Sequence, residues 1–335
     1  VGSSWASSRA RCWFARIPLT PAEGNDTRRL RGLLLARQPR SRAPPKRVAM
    51  GSSSVCRWPK VARGKETRVS AKRNLIQRIS SRLLRHRPTP RWTPVEAGPL
   101  AGASLYLDQE AFIGWKEMVL GRYDKFIYEA ISRELDPRGL AVWDVGAHIG
   151  YHSLCFASLV GDEGSVHAFE PNPFNQHRFQ IHLSANPDLA RRITLHPHAL
   201  AERHGESDLL MSSRVDDSQS SGSRIAGIAG PLPEEQYAKF KRLKVSTKTV
   251  DEMILEGFAP PPGLIKLDVE GSEGEVLRGG KATLVQHKPL LVMEIHNVTQ
   301  MFEAMTLLGG IGYRLEMLDA TNAELSRCFL MGIAR

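Results

Sequence analysis

The sequence predicts an α/β fold, with a mostly parallel sheet, helices on both faces and an antiparallel strand pair at its C-terminal end. Two observations carry this expectation. From residue 140 onward, apolar runs of strand length alternate with segments of helical period, as in βα units whose strands are buried on both faces. The first of those runs ends in a glycine-rich turn, Asp144-Val-Gly146-Ala-His148-Ile-Gly150, that passes directly into a helical pattern.

The elements follow in order. Leu105, Leu107, Phe112, Ile113 and Trp115 form a strand-rich or mixed opening. Residues 123–135 read as a helix with Phe126, Ile127, Ala130 and Ile131 inward, and Asp136-Pro137 stops it because proline lacks the N–H that would continue the ladder. A first strand at 140–145 leads to a helix at 149–160. A second, Ser165–Phe169, ends in Glu170-Pro171 and leads to a helix at Pro173–Ala185. The third strand spans 193–200. Residues 205–245 are polar and rich in Ser and Gly, and interrupt the alternation; inside them 209–211 and 243–247 are expected to pair as an inserted hairpin. The alternation resumes with a helix at 249–256, a strand at 264–269, a helix at 272–285 and the strand Leu290–Ile295. Residues 313–318 and 328–333 then close as an antiparallel pair turned at 319–322.

The charge of +11 over 335 residues conceals two unlike parts. Residues 1–90 hold 22 Lys and Arg against three acids (Glu23, Asp26, Glu66), which leaves 24 basic and 32 acidic residues, a balance of −8, for the rest. We therefore expect a basic, Arg- and Ser-rich, disordered leader over 1–95 and one domain over 100–335. Three readings of the leader stay open: an organelle transit peptide, a basic nucleic-acid-binding tail, or untranslated sequence upstream of Met50. A transit peptide would place the chain in an organelle; otherwise a soluble, cytoplasmic location is expected. A short stretch, Leu75, Ile76, Ile79, Leu83 and Leu84, has helical spacing. Cys12, Cys56, Cys155 and Cys328 have no ladder or CxxC spacing, so neither a disulfide framework nor a zinc site is expected. No run of eighteen apolar residues occurs, which argues against a spanning helix. The acidic balance of the domain argues against a nucleic-acid face.

The glycine turn is the strongest local signal. Its backbone allows close approach to a ligand, and the helix behind it presents free N–H groups. A dinucleotide turn needs glycine in place of Asp144, and its next two glycines lie three apart, whereas Gly146 and Gly150 are four apart. An aspartate repels pyrophosphate but suits a cationic amino group, such as that at the methionine end of S-adenosylmethionine. The plain alternative is an ordinary tight turn. Glu170, 26 residues after Asp144, ends the second strand, where an acid accepts hydrogen bonds from ribose hydroxyls; alone it would be a solvated strand end. Asp268 and Glu270 after the fourth strand, with Glu294 and His296 at the end of the fifth, fall at the carboxyl edge of the sheet, where α/β folds bind ligands. His296 is the candidate general base, because imidazole titrates near neutrality, with Asp268 or Glu294 as orienting group or alternative base. Asp268, Glu270 and Glu294 are equally ligands for a magnesium ion that lowers the acceptor's pKa, and the sequence leaves base and metal both open. His196, His198 and His204 match no metal spacing and read as strand-end and loop histidines.

The succession VWDVGAHIGYHSL, HAFEPNP, an HAL segment, a TVDEM segment, LIKLDVEGSEGEVLRGG and LLVMEIH resembles the FkbM-type methyltransferases, in the same order over about 140–300. The resemblance implies a Rossmann-like class I methyltransferase sheet with S-adenosylmethionine as cofactor. Asp144, Gly146, His148 and Gly150 would shape the methionine pocket, Glu170 would bind ribose, and Asp268 would touch cofactor and acceptor alike. His148 departs from the Asn common in the family. Methyltransferases of base amino groups often carry an Asn-Pro-Pro-aromatic segment after the fourth strand. The Asp-Val-Glu-Gly found here favours O-methylation of a hydroxyl on a sugar or other small molecule. Rival readings are an RNA methyltransferase using the basic tail, a nicotinamide-dependent oxidoreductase disfavoured by the glycine spacing, and a non-catalytic protein that keeps only the fold.

Overall fold

The computed structural model describes residues 89–110, 112–212, 223–226, 240–318 and 328–335. Residues 1–88 of the expected leader, with its Leu75 to Leu84 pattern, and the turn expected at 319–322 lie outside the described residues; the end of that leader, expected to be disordered, is described and holds a strand at Arg91–Pro94.

A hairpin comes first, β1 (Arg91–Pro94) antiparallel to β2 (Ser104–Leu107), upstream of where the apolar pattern becomes regular. Two helices follow, α1 (Ile113–Val119) and α2 (Lys125–Glu134). The alternating part begins with β3 (Ala141–Val145), α3 (Tyr151–Val160), β4 (Ser165–Phe169), α4 (Pro173–Ala185), the short α5 (Pro187–Ala190) and β5 (Ile193–His196). Next come four strands of a separate sheet, β6 (Ala199–Leu200), β7 (Gly205–Ser212), β8 (Arg224–Ile225) and β9 (Phe240–Lys248). Then come α6 (Val250–Leu255), β10 (Leu264–Leu267), α7 (Glu273–Gly279), α8 (Lys281–His287), β11 (Leu290–Ile295), α9 (Val298–Gly310), β12 (Tyr313–Met317) and β13 (Cys328–Ala334).

The main sheet runs β12-β13-β11-β10-β3-β4-β5. Its five strands from β11 to β5 are parallel, and β13 runs against both β11 and β12. The order reverses at β3, which lies between β10 and β4, so the switch-point crevice opens beyond its carboxyl end. The fold is the doubly wound, mostly parallel sheet read from the sequence. Strand period sends Val142 to a core with Phe156 and Ala157 of α3 and Ile127 of α2, and Trp143 and Val145 to a core with Val276, Leu277 and Ala304 on the other face. Both faces are apolar because helices cover both.

Besides the strand inside the expected leader, three elements differ from the sequence reading. The strand at 193–200 is two strands in two sheets, since Pro197 has no N–H for the ladder and the chain leaves the main sheet after His196. The inserted hairpin forms and is longer than expected: β7 and β9 pair from Gly205↔Thr247 to Ser212↔Phe240, and β6 and β8 extend it into a four-stranded sheet. The helix at 272–285 is broken at Gly279-Gly280; a Cβ on Gly279 would lie 2.1 Å from the Ala201 carbonyl oxygen, so a close crossing of chain segments requires the glycine. Among the described residues, no helix is long and apolar enough to cross a membrane.

Candidate active site

The glycine turn caps β3 at the switch point. Gly146 has φ +81°, and a Cβ there would meet the Asp268 carbonyl oxygen at 1.7 Å. The glycine is thus demanded first by the close approach of the two strand ends, β3 and β10. His148 occupies the left-handed region at φ +52°. Asn, Asp and His are the non-glycine residues enriched in that region, which explains why histidine can stand where the resemblance leads one to expect asparagine. Burial lowers the His148 pKa to about 4, so its ring is neutral at pH 7.

Glu170 follows β4 and faces this turn. Its Oε2 accepts the His148 N–H at 2.8 Å and its Oε1 the Asn172 N–H at 2.8 Å. Asn172 also caps α4 by accepting from Phe174 N, with Pro173 at the first helical position. Burial pushes Glu170 up to about 7 against the opposing pull of those two backbone donors. Together with Gly146 and His148 it lines a cavity of about 390 Å³, within the range of small-molecule sites.

The sequence placed Asp144 against the ligand's amino group. It is instead fully buried beneath the turn and does not line that cavity. Strand parity decides this, because Asp144 shares the face of Val142, toward α3. There Ser153 Oγ donates to its Oδ2 at 2.5 Å, and Lys266 Nζ lies 3.3 Å from its Oδ1. Register sets Lys266 opposite Asp144. Lys266 Nζ also donates to the Gly146 carbonyl at 3.1 Å and lies 3.4 Å from Asp268 Oδ2. Burial alone would lower this lysine's pKa; the carboxylates of Asp144 and Asp268 outweigh it and hold the group charged, above the ordinary range.

The other sequence-selected residues converge beyond β10 and β11. His296 Nε2 lies 3.6 Å from Asp268 Oδ1, 3.5 Å from Glu270 Oε2 and 3.5 Å from Glu294 Oε1. Its Nδ1 is 2.8 Å from Glu273 Oε1, and that same oxygen accepts from Gly271 N at 2.9 Å. Burial would lower the His296 pKa, but the Glu273 hydrogen bond and the facing carboxylates Asp268 and Glu270 raise it to about 9. Glu270 reaches the cluster from a left-handed backbone, φ +57°.

Residues 144–315, slightly more than half the chain, match the family described as Methyltransferase FkbM domain. The chain belongs to the FkbM methyltransferase family. Its relatives include the hexuronic acid methyltransferase AglP of Haloferax volcanii, 31% identical over 155 residues, which are 46% of this chain and 55% of that protein. The 2-O-methyltransferase NoeI of Sinorhizobium fredii is 27% identical over 164 residues, 48% of this chain and 65% of that one. The 31-O-demethyl-FK506 methyltransferase FkbM of Streptomyces tacrolimicus is 31% identical over 204 residues, 54% and 74% of the two chains. The chain thus spans less than two thirds of the length of the first two.

The FkbM domain brings together Gly146, His148, Glu170, Asp268, Glu270 and Glu294 around one cavity. Gly150 lies behind the turn at φ +86°, where a Cβ would meet the Phe179 ring at 2.1 Å. Of the three clustered histidines, His198 also lines the cavity; His196 stacks on Phe169, and His204 pairs with Glu252. Sequence reasoning missed Lys266 and Glu273. The signal for the first was a lysine inside the apolar run LIKL, because a lysine in a strand buried on both faces needs charged partners. It also missed the wall built by Phe112, Trp115, Met118 and Tyr123. A second cavity of about 340 Å³ adjoins the first; Phe112, Tyr123 and Glu294 line both.

Proposed function

We propose that this FkbM domain binds S-adenosylmethionine in the first cavity and directs methyl transfer to a hydroxyl of a sugar or other small polar molecule. The observation that carries the reading is the single cavity that joins the Gly146–Gly150 turn and Glu170 to the carboxylates at the ends of β10 and β11. The residues fit the cofactor. Glu170 is fixed by backbone donors on either side and retains acceptor capacity toward the cavity for ribose hydroxyls. The three relatives are named for methylating a hexuronic acid, a 2-O position and a 31-O position, in keeping with an oxygen acceptor.

When bound, S-adenosylmethionine supplies a methyl group on a positively charged sulfur, open to in-line displacement by an oxygen. The chain's own share is alignment and removal of the hydroxyl proton. A general base must be unprotonated. His296, with its pKa raised to about 9, already carries a proton at neutral pH, so we assign proton acceptance to Glu294, which stands in the wall of both cavities. His296 and Asp268 then act as its neighbours.

Titration of S-adenosylhomocysteine, NAD and NADP into the full chain by calorimetry tests the reading. Saturable binding of S-adenosylhomocysteine alone, followed by methylation of a hydroxylated acceptor, is expected. Binding of a nicotinamide cofactor instead would overturn it.

A further inference from the structure

We infer that Asp268, Glu270 and His296 form a divalent-cation site, with Glu273 orienting the histidine. The three offer ligand atoms that all lie within 4.8 Å of one another. For its purpose the inference rests on the methyl-transfer reading; for its existence it rests on the geometry alone.

The decisive atom is His296 Nε2. The side chain is 10% exposed, and Nε2 is buried with no hydrogen-bond partner, yet three carboxylate oxygens, of Asp268, Glu270 and Glu294, lie 3.5–3.6 Å from it. The other ring nitrogen is committed. Glu273, fully buried, fixes Nδ1 as an N–H donor, which leaves Nε2 to face the acids. A carboxylate behind the far nitrogen is the usual support of a metal-ligating histidine. In the ion-free protein a proton on Nε2 serves these oxygens; a divalent cation would replace that proton and take Nε2 and the carboxylates together as ligands. Bonds of about 2.0–2.2 Å to a small divalent ion place neighbouring ligand atoms about 3.0–3.5 Å apart, close to the 3.5–3.6 Å between Nε2 and the oxygens of Asp268 and Glu270.

The charges point the same way. Asp268 divides its two oxygens, Oδ2 toward Lys266 and Oδ1 toward His296. Lys266 is shared with Asp144 as well, and Oδ1 of Asp268 stays on the side of Glu270 and His296. Two carboxylates and an imidazole form a mixed oxygen and nitrogen set, which suits Mn²⁺ better than the all-oxygen preference of Mg²⁺. Asp268 and Glu270 line the cavity, so the ion would lie beside the acceptor hydroxyl and favour its ionisation.

The test is titration of Mn²⁺ alone into the full chain, followed by calorimetry and by loss of the free-ion electron paramagnetic resonance signal, with S-adenosylhomocysteine affinity measured on the same samples. One saturable Mn²⁺ site is expected, weakened at least about 10-fold by His296→Ala and by Glu270→Gln, and about 10–100-fold by Glu273→Gln. Each variant that still binds S-adenosylhomocysteine is folded, so loss of Mn²⁺ in that variant reports on the site. Mn²⁺ binding without S-adenosylhomocysteine binding would keep the cation site and remove the methyl-transfer reading. No saturable binding of Mn²⁺ or Mg²⁺ by a chain that binds S-adenosylhomocysteine, or Mn²⁺ binding unchanged in folded His296→Ala, would overturn the site.

Discussion

The two halves of the sheet's carboxyl edge use acids in opposite ways. Beyond β3 and β4, a single carboxylate, Glu170, is held by backbone N–H groups of His148 and Asn172. Beyond β10 and β11, Asp268, Glu270 and Glu294 face one another across His296, and side chains do the holding. The first arrangement depends on the path of the main chain, so it tolerates exchange of side chains such as His148 for Asn. The second is held by charged side chains, so exchange of one member changes the field on the others. On the function proposed above, the difference corresponds to a division of labour between holding a constant cofactor and ionising an acceptor.

That contrast can be broken first at Lys266, which spans both halves. Lys266→Met leaves Asp144 buried without its cation, and unfolding experiments should show a loss of about 3–5 kcal/mol. A loss under about 1 kcal/mol would mean that the ion pair does not join the halves. Next in size, Glu294→Gln should lower kcat about 10²–10³-fold with S-adenosylhomocysteine affinity unchanged, the range of a lost general base; an unaltered kcat removes Glu294 from that role. Smaller again, Glu170→Ala should weaken S-adenosylhomocysteine binding by about 1–3 kcal/mol and leave the β10–β11 cluster intact, as read by calorimetry.

An effect bounded by that of Glu170→Ala concerns pH. Because burial raises Glu170 to about 7, its carboxyl binds a proton in the free protein below that pH, and a ligand whose hydroxyls donate to it must displace that proton. Cofactor affinity should therefore fall as pH drops from about 7 toward 5, by up to about tenfold per unit, and stay level above 8. This component of the profile should vanish in Glu170→Gln; if it persists, another group is responsible.

Much of this was legible in the residues. The apolar runs of β3, β4, β10 and β11 announced themselves because strands buried on both faces tolerate little else, and the acids at their ends stood out against that background. What stayed hidden depended on register and crossing. That Asp144 points away from the cavity follows from strand parity relative to α3, and its pairing with Lys266 from the alignment of two strands some 120 residues apart. The break at Gly279-Gly280 came from the neighbouring Ala201 backbone, which no helical period records. His296 was legible as a polar group at a strand end. Its surroundings, three carboxylates on one nitrogen and a fourth on the other, exist only once two segments, 268–273 and 294–296, have folded together.

The wall shared by the two cavities bears on the timing of turnover. If donor and acceptor approach Glu294 from separate mouths, neither blocks the other's path, and both must be present before a methyl group can move. Initial-rate plots against one reactant at fixed levels of the other should then intersect rather than run parallel. Either product should be free to depart first, so each inhibits without waiting for its companion to leave.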